Sequence, residues 1–68
     1  MLTIIIPCFN EEKNIKKLLE RIDEILSKYS FLNIIVVDNG SNDSTSEKIK
    51  DNIIYKNNNF KLVLVKKN

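Results

Sequence analysis

The chain has 68 residues, 43% of them hydrophobic and 29% charged, with a formal net charge of +2. That length bounds the fold at one domain, which buries only about 60% of its unfolded surface, and the composition excludes a disordered polymer. Lysines mixed among acids, with no basic run carrying interleaved aromatics, exclude an electrostatic case for nucleic-acid binding.

In chain order, Leu2–Pro7 (LTIIIP) reads as a strand ended by proline. Its continuous β-branched run, with no polar alternation, predicts a strand covered on both faces. Asn10 is a good N-cap, and Glu11 and Glu12 place negative charge in a first helical turn. Ile15, Leu18, Leu19, Ile22, Ile25 and Leu26 then form an apolar helical stripe, which predicts a helix from about Glu11 to Ser27. Asn33–Asp38 reads as a second doubly buried strand. Ser44-Thr-Ser-Glu47 matches a capping box, so a second helix should start near Thr45 and turn Ile49 and Ile53 inward. Asn57-Asn-Asn59 is a loop, and Lys61–Lys66 (KLVLVK) is a third strand with a charge at each end.

The β-α-β-α-β order predicts an α/β, Rossmann-like unit with a parallel sheet. Right-handed crossovers give the spatial order 3-2-1, with both helices on one face. The opposite face and the open edge of the first strand are then left bare. This predicts either that residues 1–68 are the front portion of a larger α/β domain, or that the chain associates with another copy through the uncovered sheet face.

Parallel α/β sheets bind ligands beyond the carboxyl ends of their strands. Pro7-Cys-Phe-Asn-Glu-Glu12 and Asp38-Asn-Gly-Ser-Asn-Asp43 both lie there, side by side if the first two strands are neighbours. Phe9 offers a flat face for a base or a pocket wall. Asp38 and Glu11 can accept from base N–H groups or ribose hydroxyls, and Asn39 can accept and donate. Gly40 permits a sharp turn or a close ligand approach. The plainer alternative is that Asn10 and Glu11 only cap a helix and Asp-Asn-Gly-Ser is only a turn.

IIIPCFNEE, the amphipathic helix and IIVVDNGSNDST together resemble the start of the family 2 glycosyltransferases, over about Leu2–Ile49. The family pairs a P-x-(Tyr/Phe)-N-E turn with V-V-D-D-G-S-x-D-x-T about 25 residues later, and the polyprenyl-phosphate mannosyl- and glucosyltransferases are the nearest branch. The resemblance implies the N-terminal part of a GT-A fold, with these loops holding the nucleotide of a UDP- or GDP-linked sugar donor. Pro7, Phe9 and Glu11 would line the base and ribose site; Val37 and Asn39 would contact the base, with Asp38 beside them. Position 39 departs from the pattern, being Asn where Asp is usual, and position 44 is Ser where Gly is common. The family also carries a downstream Asp-x-Asp that binds Mg²⁺ or Mn²⁺ against the donor diphosphate, a Lewis-acid role. No Asp-x-Asp occurs here, and the family's catalytic base and acceptor site also lie further along. The resemblance thus implies a glycosyltransferase of which this chain holds only the nucleotide part, with a polyprenyl phosphate as one acceptor class. The alternative is a truncated, non-catalytic nucleotide-binding fragment or a subunit completed by a partner. No catalytic or metal-binding residue is expected in the chain.

Other chemistries lack their parts. Cys8 has no histidine to activate it, and zinc lacks ligands. Phosphate cradles of the G-x-G-x-x-G and P-loop kinds do not occur. A phosphoacceptor receiver domain would carry its acid after the first strand rather than the second. Cys8 then reads as a filler at a loop or strand end, and Tyr29 and Phe31 as packing at the helix-to-strand turn. Lys66 and Lys67 read as solvated flanks that discourage edge pairing. Met1–Pro7 has no basic n-region and is too short to span a bilayer, which with one unpaired cysteine predicts a cytoplasmic protein, membrane-associated if a longer parent carries membrane helices.

Overall fold

A computed structural model of the chain describes residues 1–66; Lys67, expected as a solvated flank, lies outside the described residues. Strand β1 (Leu2–Cys8), helix α1 (Ile15–Lys28), strand β2 (Leu32–Asp38), helix α2 (Thr45–Asp51), a 3₁₀ turn (Ile53–Lys56) and strand β3 (Phe60–Leu64) follow one another. The sheet is parallel, with β2 between β1 and β3, which is the expected 3-2-1 order read from the other edge. Leu2 pairs with Leu32 and Cys8 with Asp38. Ile34 pairs with Phe60 and Asp38 with Leu64.

Strand alternation divides the sheet. Leu32, Ile34, Val36 and Asp38 of β2 are buried, and their side chains share one face with Cys8 and Phe60. Ile15, Leu19, Ile22 and Leu26 of α1, Ile49 of α2 and Ile54 of the 3₁₀ turn pack there in one cluster. Asn33, Ile35 and Val37 point the other way and are only half-buried, because no helix among the described residues covers that face. The expectation of strands buried on both faces therefore fails here. Most of β1 is exposed, with Ile5 63% accessible, whereas β2 is shielded by a strand on each side.

Several local expectations are corrected. Asn10 does not cap α1. Its backbone is left-handed, at φ 50°, and α1 begins at Ile15 after a turn whose first carbonyl is Glu11's, accepting from Asn14 at 2.9 Å and Ile15 at 2.8 Å. Ile25 lies at the rim of the stripe and is exposed, and Leu18 is half-buried. The Ser44–Glu47 capping box does not form, since Ser44 makes no side-chain cap; Asp43 accepts from the Thr45 N–H at 2.9 Å and from the Thr45 hydroxyl instead. Ile53 points outward at 81% exposure and Ile54 takes the inner position. Asn52 causes this shift: its backbone is extended (ψ 145°), and its side chain caps the 3₁₀ turn by accepting from the Ile54 N–H at 3.0 Å. Strand β3 starts at Phe60 rather than Lys61 and ends at Leu64 rather than Lys66. At the helix-to-strand turn, Tyr29 and Phe31 meet edge to face at 5.8 Å between ring centroids.

Candidate functional site

The parallel register of β1 and β2 delivers two loops to the same end of the sheet. The Asn39 N–H donates to the Cys8 carbonyl at 2.9 Å, which carries the ladder one residue beyond β2. Beyond that point, side chains and backbone of the two loops interlock. The Asn10 N–H donates to Ser41 Oγ at 2.8 Å, and the Asn10 side-chain carbonyl accepts from the Asn42 N–H at 2.8 Å. The Glu11 N–H donates to Thr45 Oγ1 at 2.9 Å, and the Glu12 N–H to Asp43 Oδ2 at 3.4 Å. Lys48 Nζ donates to the Glu12 carbonyl at 3.0 Å. The left-handed backbone at Asn10, which asparagine tolerates better than most residues, lets one residue bond Ser41 and Asn42 together.

The second loop is set by Asp38, only 3% exposed. Its Oδ1 accepts from the Ser41 N–H at 3.2 Å and from the Ser41 hydroxyl. This Asx-type turn closes over Gly40, whose φ of 75° suits glycine. Thr45, fully buried at the start of α2, joins Glu11 to Asp43. Lying on the helix face, Asp38 thus supports the loop rather than presenting its carboxylate to solvent.

The other residues expected to form the site are distributed as follows. Pro7 and Val37 are register partners on the sheet face without a helix. Phe9, 49% exposed, and Asn39, also exposed, lie just past the ends of the two strands. Glu11 is half-buried in the first loop. The turns are thus neighbours, as expected, and Pro7, Phe9, Val37 and Asn39 gather at one end of the first two strands while Asp38 faces away. Ser41, Asp43 and Thr45 join the loops but were not assigned a role from sequence. Their S-x-D-x-T spacing was the signal, since it alternates hydroxyls and a carboxylate that can satisfy backbone N–H groups. A shallow groove of about 270 Å³ lies beside the second loop, lined among others by Asp38, Ser41, Ser46, Leu64 and Lys66.

The electrostatics of this end are acidic. Burial pushes the Cys8 thiol up to about 11, helped by Asp38, then Glu11 and Asp43. Desolvation opposes ionisation of Asp43, but hydrogen bonds from Thr45, and the Glu12 N–H, hold its carboxyl below the ordinary range. Carboxylates at this end suit donors such as base N–H groups and ribose hydroxyls and oppose a diphosphate, with Lys48 and Lys66 the cations beside the two loops. A divalent metal, which the resemblance implies, finds no fit among the described residues. No cluster of three or more metal-ligating side chains is present among the described residues, and Asp38 and Asp43 already serve Ser41, Thr45 and Glu12. No helix among the described residues is long and apolar enough to cross a membrane.

Comparison with known proteins adds three findings. A family model described as Glycosyl transferase family 2 matches residues 3–68. Uncharacterized protein MJ1222 of Methanocaldococcus jannaschii is 47% identical over 47 residues, an alignment covering 69% of this chain and 18% of that protein, so the chain spans about 18% of the relative's length. No solved structure matches significantly.

Proposed function

The chain belongs to glycosyl transferase family 2, and from that premise we propose that it is the donor-nucleotide part, over residues 1–68, of a GT-A glycosyltransferase that moves a sugar from a UDP- or GDP-linked donor to an acceptor. The observation that carries this reading is the interlocking of the two loops through Asn10, Ser41, Asp43 and Thr45. It supports a preformed cradle for a nucleoside, with Phe9 against the base, Asn39 on its polar edge, Pro7 and Val37 as the apolar floor, and Glu11 toward the ribose. Asp38 shapes the cradle by holding Ser41. Countercharge for the diphosphate, including any Mg²⁺ or Mn²⁺, comes from outside the described residues. Chemistry and acceptor recognition belong to the rest of a longer enzyme, and the chain's small share of its relative's length supports that division. A polyprenyl phosphate is the acceptor class we propose, on the resemblance of both motifs to that branch. A cytoplasmic setting is part of the proposal, compatible with the lone reduced thiol.

The test is a titration of the ¹⁵N-labelled chain with uridine, UDP and guanosine nucleotides, with and without Mg²⁺. The nucleoside end is expected to supply the affinity. Uridine or guanosine should bind at least as well as its diphosphate, in the millimolar range, with Mg²⁺ changing affinity less than about threefold and shifts centred on Phe9 and Asn39. A diphosphate that binds far more tightly than its nucleoside, or shifts confined to residues outside the two loops, would contradict the reading.

A further inference from the structure

The chain's only glycine follows Asn39, so one asparagine has a neighbour with no Cβ to shield its backbone nitrogen. The structure leaves both groups of that pair free to react. Asn39 is exposed and Gly40 half-buried. Among the described residues, neither the Asn39 side-chain amide nor the Gly40 N–H makes a hydrogen bond, although the groups around them do. The Asn39 N–H donates to the Cys8 carbonyl, and Asp38 Oδ1 accepts from the Ser41 N–H and hydroxyl. Other asparagine side chains are held. Asn10 accepts from the Asn42 N–H, Asn52 from Ile54 and Asn57 from Asn59, while Asn59 donates to the Leu32 carbonyl. Bonds to Cys8, Asp38 and Ser41 set the turn around Asn39, so its conformation comes from the two loops themselves. On the reading proposed above, position 39 also faces the space that a nucleoside enters, which a longer enzyme keeps open.

We infer that Asn39–Gly40 is a site of spontaneous deamidation, a covalent change that loosens the joint between the two loops. Hydroxide takes the Gly40 N–H proton, and the nitrogen attacks Asn39 Cγ. The new C–N bond closes a five-membered succinimide, the Cγ–Nδ2 bond breaks, and Nδ2 leaves as ammonia with a proton from water. A water molecule then opens the ring at one of its two carbonyls. Hydrolysis at Cγ leaves aspartate at position 39, and hydrolysis at the main-chain carbonyl leaves isoaspartate, with the chain running through Cγ. In either case one water is consumed and one ammonia released. Isoaspartate adds a backbone carbon between Asp38 and Ser41, which disrupts the 3.2 Å bond from the Ser41 N–H to Asp38 Oδ1. Ser41 Oγ, which accepts from the Asn10 N–H, and the Asn42 N–H, which donates to the Asn10 side chain, are displaced with it.

The test is incubation of the ¹⁵N-labelled chain at mildly alkaline pH without nucleoside, so that the result stands apart from the proposed cradle. Electron-transfer mass spectrometry and isoaspartyl methyltransferase labelling locate the products. Position 39 should react at least ~tenfold faster than any other asparagine, and faster as pH rises. Its rate in the folded chain should lie within about tenfold of its rate in urea, because the fold holds neither reacting group. Gly40→Ala should slow the reaction at least ~tenfold when both chains are compared in urea, where the fold of the variant is immaterial. Isoaspartate at position 39 should shift the amide signals of Asn10, Ser41 and Asn42, whereas Asn39→Asp, which is the other product, should leave them near their native positions. Folded-state protection beyond about tenfold, faster reaction at another asparagine, or an isoaspartate form whose three amide signals match the native chain would overturn the proposal.

Discussion

Asp38 and Asn39 are adjacent in sequence but have opposite surroundings. Asp38 is buried and holds Ser41, while Asn39 is exposed beside Phe9's loop. Replacing Asp38 with Ala leaves the Ser41 N–H without its acceptor and should cost about 1–3 kcal/mol in urea denaturation. Asn39→Asp should leave stability within about 0.5 kcal/mol and tighten binding of a uracil or guanine nucleoside, because a charged acceptor makes the stronger hydrogen bond. Unchanged or weaker nucleoside binding by a folded Asn39→Asp chain would mean that position 39 faces elsewhere. The Cys8 thiol makes a separate prediction. Its pKa is about 11 in the folded chain against 9.0 ordinarily, so the unfolded chain releases this proton first as pH rises. The thiol's contribution to stability is complete below about pH 9 and is lost as pH rises toward 11. Urea midpoints should therefore fall over that window more steeply for the native chain than for Cys8→Ala. The Asp-Asn-Gly-Ser turn was legible from residue types, but which of the two neighbours faces inward was not. Strand alternation decides that, and it depends on where β2 begins.

Elements with strong periodicity were readable in advance. The stripe from Ile15 to Leu26 gave α1, and the β-branched runs gave β1 and β2, because those patterns correspond to single faces of regular backbone. Their junctions were less legible. Asn10 and Ser44 are good capping residue types, yet the caps they suggested did not form, since long-range partners in the other loop and Asp43 satisfied the backbone instead. The end of α2 was missed for a similar reason. A continued helix would bury Ile53, but the extended Asn52 restarts the chain as a 3₁₀ turn and rotates Ile54 inward. The two positions should therefore respond differently to truncation. Ile54→Ala removes a fully buried side chain and should destabilise by about 2–5 kcal/mol, whereas Ile53→Ala should stay within about 0.5 kcal/mol. Thermal or urea denaturation of the two variants gives the comparison directly, and equal losses would show that α2 continues through Asn52.

At the scale of the whole molecule, the parallel sheet with both helices on one face followed from element order and the handedness of crossovers. The bare opposite face followed from counting layers. The apolar strands predicted cover on both sides, but within the described residues only one side is covered, so Ile5 and Val63 remain exposed. The asymmetry bears on the proposed cradle, because Pro7 and Val37 lie on the uncovered face at the end that carries both loops. The joining of the loops needed the structure, since Ser41, Asp43 and Thr45 act across more than thirty residues of sequence on Asn10, Glu12 and Glu11. In the proposed cradle the joined turns hold a nucleoside between Phe9 and Asn39. Intermolecular nuclear Overhauser contacts in the labelled chain saturated with uridine test it most directly. The base H5 and ribose H1′ protons should contact the Phe9 ring and the Asn39 side-chain amide; contacts to neither residue, with binding located instead at the groove between α1 and α2 near Leu19 and Asn52, would contradict it.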